Sequence, residues 1–230
     1  MTYKAAIFDL DGTLLDTLED LGNAVNRVLA ANGFPTHEMN HYRYYVGDGE
    51  AMLITRALPE EKRSDEIIRT CLKEYRQDYG QNWNVNTKPY DGVEEMLDAL
   101  VTHGLKLAIL SNKPHELTKL CVSGLLPNWT FDVVLGQQEP IPRKPDPEGA
   151  LKIAEELKIP PSGFLYLGDT ATDMKTAIAA NMFPVGVLWG FRPAEELQQS
   201  GAQLLLKRPM DIMNLLNTKN RDESLGKIKN

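Results

Sequence analysis

The stretch Ala5-Ala6-Ile7-Phe8-Asp9-Leu10-Asp11-Gly12-Thr13 decides the fold. Four apolar residues run without interruption into Asp9, which is typical of a buried parallel strand that delivers a polar side chain at its carboxyl end. Gly12 permits a tight backbone turn directly after Asp11. The stretch therefore predicts a buried strand followed by a polar loop.

The same pattern recurs along the chain. Apolar runs over residues 105–110, 131–135, 164–167 and 184–188 end at Ser111-Asn112, Gly136, Gly168-Asp169 and Trp189-Gly190. The segments between them have apolar residues at helical spacing, which together predicts an α/β fold with a doubly wound parallel sheet. Ligands bind outside the carboxyl ends of such strands, so we expect Asp9, Ser111 and Asp169 to meet in one crevice.

One long segment interrupts this alternation, because residues 17–84 show helical spacing throughout. Thr17 and Asp20 have the residue types of a capping box at the start of the first helix, and Gly33 and Pro35 follow its end. We predict a parallel-sheet domain over residues 1–16 and 85–217 and an inserted small α-helical domain over residues 17–84. Residues 218–230 are charged and polar and are expected to form a solvated tail.

The composition excludes several classes of protein. The 230 residues carry a net charge of −7, which disfavours nucleic acid as a partner, and no apolar run approaches the length of a membrane span. Cys71 and Cys121 lie among apolar residues and are expected to be buried free thiols. With no leader of signal-peptide type, these features favour a cytoplasmic protein, monomeric or homodimeric, that acts on a small molecule.

Asp9 and Asp11 form a pair of carboxylates two residues apart. One carboxylate of such a pair can attack as a nucleophile, while the other protonates a leaving oxygen and later takes a proton from water. Asp and Gly are also common turn residues, so these residues by themselves leave a simple turn after the strand as the alternative.

Three further motifs follow in order. They are Ser111, Lys144 in the loop Pro142-Arg143-Lys144-Pro145-Asp146, and the sequence Gly168-Asp169-Thr170-Ala171-Thr172-Asp173. With these motifs, the chain resembles the haloacid dehalogenase superfamily of phosphohydrolases, whose signatures include DxDGT and GDxxxD. The resemblance covers essentially the whole chain, since the helical insert has the position of that superfamily's cap. It implies a Rossmann-like core with an inserted α-helical cap domain.

The resemblance also implies roles for the motif residues. Asp9 would be the nucleophile that forms an aspartyl phosphate, and Asp11 would be the general acid and then the general base. Ser111 would hydrogen-bond to a phosphoryl oxygen. Lys144 would neutralise charge between that phosphoryl group and the Asp9 carboxylate.

The cofactor that the resemblance implies is Mg²⁺. Its ligands would be Asp9, the backbone carbonyl of Asp11 and Asp169, in keeping with the preference of this ion for oxygen. Asp173 would complete the metal site, and whether it does so directly or through a water molecule stays open.

Two stretches point to the substrate. Tyr45-Val46-Gly47-Asp48-Gly49-Glu50-Ala51-Met52-Leu53 is similar to the VGxGxxxL segment of phosphoglycolate phosphatases, as is Gly190-Phe191-Arg192-Pro193 to a later segment. The backbone at Gly47 and Gly49 could donate N–H groups to a small anion, although a simple linker between helices is an equal alternative. This resemblance favours 2-phosphoglycolate as the substrate.

The residues expected to contact the substrate are Thr13, Asn112, Lys113, Gly47, Gly49 and Arg192. Lys113 and Arg192 could add positive charge at the rim of the crevice, although a solvated surface role fits equally well, and Arg43 or Lys113 could meet a second negative charge of the substrate. The alternatives within the superfamily are a pyrophosphatase, a sugar-phosphate phosphatase, a nucleotidase and a phosphotransferase like β-phosphoglucomutase. A catalytically silent phosphate-binding regulatory protein is the alternative from a different class.

Overall fold

The computed structural model describes residues 3–217. Its strands are β1 (Ala5–Phe8), β2 (Leu15–Asp16), β3 (Lys88–Pro89), β4 (Lys106–Pro114), β5 (Val133–Gln137), β6 (Phe164–Gly168), β7 (Phe183–Val187) and β8 (Leu204–Leu206). Its α-helices are α1 (Leu18–Ala31), α2 (Met39–Tyr45), α3 (Glu50–Ala57), α4 (Asp65–Asn82), α5 (Val93–Thr102), α6 (His115–Leu125), α7 (Glu148–Leu157), α8 (Ala171–Ala179) and α9 (Ala194–Gln199).

Six strands form one parallel sheet in the order β5-β4-β1-β6-β7-β8. Alternate residues of β1 belong to two separate apolar clusters, with Ala6 and Phe8 in one and Ala5 and Ile7 in the other. Both faces of the sheet are therefore covered, as in a doubly wound fold, and the predicted fold class is confirmed. The five predicted strands are present, whereas β8 was missed because three leucines after a polar segment are too short a pattern to distinguish from a helix.

The helices α1 to α4 follow one another without an intervening strand. A short antiparallel ribbon lies where the chain leaves and re-enters the sheet region, with Leu15 paired to Pro89 and Asp16 paired to Lys88. This ribbon is not predictable from residue periodicity, because strands of two residues are too short to show a period. The assignment of residues 17–84 to a domain of their own stays a prediction.

The predicted capping box at the start of α1 is wrong. Thr17 makes no side-chain cap, and its hydroxyl is buried without a partner among residues 3–217. Asp20 instead accepts hydrogen bonds from the backbone N–H groups of Asn86 and Thr87 and from the Thr87 hydroxyl, at 2.7–3.0 Å. The buried carboxylate thus fastens the returning chain to α1, a use that local spacing cannot reveal.

The remaining general expectations have mixed outcomes. Cys71 and Cys121 are both buried and free, as predicted. Among residues 3–217, no helix is both long enough and apolar enough to cross a bilayer. The predicted tail, residues 218–230, lies outside the described residues.

Candidate active site

A crevice lies at the carboxyl ends of the three central strands, where Asp9 and Ser111 line it, whereas Asp169 is fully buried and is not among its lining residues. Asp9 directly follows β1, Asp169 directly follows β6, and Ser111 lies near the end of β4, where the pairing with β5 becomes irregular. A cavity of about 50 Å³ opens at this edge. From the sheet region it is lined by Asp9, Asp11, Ser111, Asn112 and Lys113, and from the helical segment by residues that include Val46, Gly47, Gly49, Glu50, Tyr75 and Tyr79.

Lys144 joins two buried carboxylates. Its Nζ lies 2.9 Å from Oδ1 of Asp9 and 2.7 Å from Oδ1 of Asp173, and all three residues are buried. The second oxygen of Asp173 accepts hydrogen bonds from the backbone N–H and the hydroxyl of Thr170, at 3.1 and 2.7 Å. The contact from the Thr170 N–H is one half of a capping box at the start of α8, in which the Thr170 side chain accepts from the Asp173 N–H, and it helps to fix Asp173 and hence the position of the Lys144 ammonium.

Asn112 holds the backbone of Lys144 rather than standing free to meet a ligand. Its Oδ1 accepts the Lys144 N–H at 2.9 Å, and its Nδ2 donates to the Lys144 carbonyl at 3.1 Å. The same Nδ2 donates to the Gly47 carbonyl at 3.1 Å. Asn112 therefore links the lysine loop to the glycine-flanked loop between α2 and α3.

Three carboxylates form a group that could hold a metal ion. Oxygen atoms of Asp9, Asp169 and Asp173 lie within 4.8 Å of one another, and all three side chains are buried. Asp169 is oriented by hydrogen bonds from the Thr13 hydroxyl at 3.1 Å and from the Phe191 N–H at 2.9 Å. An all-oxygen donor set of this kind fits Mg²⁺.

The charges of this group are not balanced by protein. Burial raises the pKa of Asp9 from 3.8 to about 7, although Lys144 opposes the shift. Burial also raises the pKa of Asp169 well above its usual value, and the charges of Asp173 and Asp9 add to this. For Lys144, burial alone would lower the pKa, but Asp173 and Asp9 together raise it well above its usual value. One ammonium thus faces three carboxylates, and a divalent cation would correct the imbalance.

Lys113 differs most from its expected place. It is buried, neither at the rim nor on the solvated surface, with its Nζ 2.8 Å from Oδ1 of Asp11 and 3.1 Å from the hydroxyl of Tyr79 on α4. Burial tends to lower the pKa of Lys113, but the charge of Asp11 and neighbouring groups raise it well above its usual value. The second carboxylate of the DxDGT stretch thus has its own buried lysine.

The other predicted substrate contacts divide into two groups. Gly47 and Gly49 do line the cavity, with φ angles of 123° and 88° that favour glycine. Thr13 and Arg192 do not belong to the cavity lining. The Thr13 hydroxyl donates to Asp169, and Arg192 donates to the Val46 carbonyl at 3.0 Å while its Nε lies 3.3 Å from Glu196. Both therefore act on the structure around the cavity.

Two further residues around the site were not predicted from the sequence. Tyr79 contacts Lys113, and Asp48 accepts a hydrogen bond from the Thr172 hydroxyl at 2.9 Å. Helical spacing indicates that Tyr79 is buried, since it follows Tyr75 by one turn, but it cannot show which distant residue the ring meets. Thr172 lies inside the GDxxxD stretch, in which only the two aspartates and the glycine belong to the motif.

Comparison with known proteins gives consistent results. A family model described as haloacid dehalogenase-like hydrolase matches residues 6–187. A phosphoglycolate phosphatase of Aquifex aeolicus is 32% identical over 213 residues, which is 93% of this chain and 96% of that protein. Another, of Xylella fastidiosa, is 35% identical over 195 residues, or 84% of this chain and 83% of that protein.

Solved structures agree with these relatives. The crystal structure of a protein from Lactobacillus delbrueckii, provisionally assigned as a phosphoglycolate phosphatase, superposes with a TM-score of 0.88. It is 29% identical in sequence, and the match covers 94% of this chain and 99% of the other.

Proposed function

The chain belongs to the haloacid dehalogenase-like hydrolase family, and we propose that it is a Mg²⁺-dependent phosphatase that transfers the phosphoryl group of a small monoester to Asp9. The observation that carries this proposal is the buried ammonium of Lys144, 2.9 Å from Asp9. A carboxylate that attacks a phosphate must overcome the repulsion of two anions, and a fixed cation beside it reduces that repulsion. The buried, desolvated setting strengthens this effect.

The reaction would proceed in two steps. In the first, an Asp9 oxygen attacks phosphorus, the bond from phosphorus to the ester oxygen breaks, and Asp11 gives its proton to that oxygen. In the second, Asp11 takes a proton from water, the resulting hydroxide attacks phosphorus, and the bond to Asp9 breaks, which releases inorganic phosphate and restores the Asp9 carboxylate and the protonated Asp11. Ser111, which lines the cavity beside them, is placed to donate a hydrogen bond to a phosphoryl oxygen.

Asp9, Asp169 and the backbone carbonyl of Asp11 would hold the magnesium ion. When bound, Mg²⁺ supplies positive charge that stabilises the phosphoryl oxygens and orients them for in-line displacement. Both oxygens of Asp173 already accept hydrogen bonds from protein groups, one from Lys144 and the other from Thr170. This favours contact of Asp173 with the ion through a water molecule.

The favoured substrate is 2-phosphoglycolate. This choice is supported by the two relatives named phosphoglycolate phosphatase, at 32% and 35% identity, and by the glycine-flanked loop that lines the cavity. The helical segment forms part of the cavity wall, so residues 17–84 would act as a cap that selects the substrate.

The proposal is tested by replacing Asp9 with asparagine. Asp9→Asn keeps the shape of the side chain but removes the nucleophile, so we expect phosphate release from 2-phosphoglycolate to fall by about 10⁴-fold or more. Asp91→Asn, on the surface, is the matched control and should retain normal turnover. Rapid quenching with ³²P-labelled substrate should label the wild-type protein on Asp9.

Two results would contradict the proposal. Turnover by Asp9→Asn above a hundredth of the wild-type rate would exclude the covalent route. A wild-type protein that binds phosphate but hydrolyses no monoester in the presence of Mg²⁺ would favour the catalytically silent regulatory protein instead.

A further inference from the structure

The cavity contains one basic side chain that the phosphoryl chemistry does not use. Arg43 donates to the backbone carbonyls of Gly190 and Phe191, Arg192 donates to that of Val46, and neither arginine is among the residues that line the cavity. Lys113 does line the cavity. Glu50, which lines it as well, is already paired with Arg76.

The ammonium of Lys113 keeps capacity for one more partner. It has three N–H donors, of which Asp11 takes one at 2.8 Å and the hydroxyl of Tyr79 takes another at 3.1 Å. It lies 4.9 Å from the centre of the Tyr79 ring, which adds a cation–π contact. The side chain is thus held in one place, next to Asp11 and facing the cavity, with a donor left for a ligand.

We infer that Lys113, positioned by Tyr79, binds the second negative charge of the substrate. The inference rests on the proposed function, in which Asp11 protonates the ester oxygen that leaves. In 2-phosphoglycolate the carboxylate is attached to the carbon that bears this oxygen, so an anion and the protonated oxygen are close neighbours. A cation in contact with Asp11 is therefore at the right place to bind it.

The substrate class that follows is a phosphate monoester with an anionic group one carbon away from the ester oxygen. Such an anion takes the third donor of Lys113, and this contact holds the leaving oxygen beside Asp11. An uncharged leaving group of the same length gains no such contact. Selection and positioning of the leaving oxygen thus depend on the same lysine.

Tyr79 acts as a positioning residue in this arrangement. Its ring stacks on that of Tyr75 with 5.5 Å between centroids and an angle of 8°, and both lie on α4. The Tyr79 hydroxyl is the hydrogen-bond contact between α4 and Lys113. Recognition of the second charge therefore requires α4 to lie in the position seen here.

The test compares 2-phosphoglycolate with ethyl phosphate, which has the same chain length but no carboxylate. Lys113→Met removes the charge at similar volume and should lower the ratio of the two kcat/KM values by about 10- to 100-fold, as expected for a hydrogen bond to a charged group. Tyr79→Phe should raise KM for 2-phosphoglycolate by about 2- to 10-fold with little change in kcat. Tyr42→Phe is the matched control, because it removes a buried hydroxyl of the helical segment that bonds to Asn26 and does not line the cavity, so it should keep the ratio within about twofold.

The outcomes separate this inference from the proposed function. A wild-type enzyme without preference for 2-phosphoglycolate over ethyl phosphate overturns the substrate assignment and, with it, the role of Lys113. A clear wild-type preference that survives in Lys113→Met overturns the inference alone. Equal effects of Tyr79→Phe and Tyr42→Phe on KM overturn the positioning role of Tyr79.

Discussion

Two lysines occupy opposite sides of the DxDGT loop, and their surroundings differ. Lys144 contacts Asp9, Asp173 on α8 and Asn112 on β4, which all belong to the sheet region. Lys113 contacts Asp11 and also Tyr79, on helix α4. The cation beside Asp9 is therefore held by the sheet region, whereas the cation that would recognise the substrate is held in part by the helical segment. Loss of Lys144 should then slow bond cleavage for all substrates alike, whereas loss of Lys113 should affect substrates differently.

The largest expected effect is that of Lys144→Met. Its loss leaves the carboxylates of Asp9 and Asp173 without their buried counter-ion, and we expect kcat/KM to fall by about 10³-fold or more. Because Lys144 acts on the phosphoryl group, the fall should be the same for 2-phosphoglycolate and for ethyl phosphate. Steady-state kinetics with both substrates measures it.

Lys152→Met is the control for this variant. Lys152 is an exposed lysine on α7 that pairs with Glu148 on the same helix, so its loss should change neither kcat nor KM. If Lys144→Met affected one substrate about tenfold more than the other, the proposed separation between the two lysines would be wrong.

The buried carboxylates of the sheet region should also make the free energy of unfolding depend on pH. Folding raises the pKa of Asp9 from 3.8 to about 7, so between these values the folded state holds a proton that the unfolded chain has lost. The free energy of unfolding of the metal-free protein should therefore fall as the pH rises from about 4 to about 7, by on the order of 3 kcal/mol. Asp169 shifts in the same direction.

Thermal melting in EDTA at pH 5.5 and pH 8 tests this dependence. Tm should be several degrees lower at pH 8, and saturating Mg²⁺, which binds the deprotonated carboxylates, should reverse the order. Asp9→Asn should weaken the dependence in EDTA. Folding lowers the pKa values of Asp20 and Asp48. Both carboxylates are therefore ionised in the folded and in the unfolded protein between pH 5.5 and pH 8, and they add nothing to this difference in Tm. Equal Tm values at the two pH values without metal would contradict the prediction.

Asn112→Ala should have an intermediate effect on activity, because Asn112 contacts both Lys144 and the Gly47 loop. It removes two hydrogen bonds to the Lys144 backbone and one to the Gly47 carbonyl, which together correspond to about 10- to 100-fold in kcat/KM. Part of the loss should appear in kcat through Lys144 and part in KM through the Gly47 loop. A change confined to KM would mean that Asn112 does not hold the lysine in the reacting state.

The sequence predicted the sheet well because its evidence is local. A buried parallel strand is a short apolar run, and a polar residue at its end marks the edge where sites form, as Asp9 and Asp169 do. The failures involve contacts between distant residues. Asp20 has the spacing of a helix cap, yet its oxygens accept hydrogen bonds from Asn86 and Thr87. β8 and the ribbon of β2 and β3 are too short to carry a period.

The residues of the candidate site show the same contrast between local signals and contacts of distant residues. Its motif residues were found because their order along the chain is itself a signal, and the structure brings Asp9, Lys144 and Asp173 into direct contact. Lys113 was expected at the rim or on the surface, since burial of an ammonium cannot be inferred without its partners. Its partners, Asp11 and Tyr79, are 102 and 34 residues away along the chain. The role of a residue that contacts the helical segment, such as Lys113, can thus be recognised only once the packing of α4 is known.

The smallest expected effect concerns the contact between the Gly47–Gly49 loop and the start of helix α8. Oδ1 of Asp48 accepts a hydrogen bond from the Thr172 hydroxyl at 2.9 Å, while its other oxygen binds Arg56. If this contact persists during turnover, Asp48→Ala and Thr172→Val should each raise KM for 2-phosphoglycolate by about 2- to 10-fold, because each loses the same hydrogen bond. The double variant should then show less than the product of the two effects, with a coupling of about 0.5–1.5 kcal/mol. Thr176→Val, on the same helix as Thr172, is the control, since its hydroxyl bonds only within α8. Additive effects would show that the Gly47–Gly49 loop has moved away from Thr172 before the substrate is bound. The helical segment would then recognise its substrate in a more open conformation than the one described.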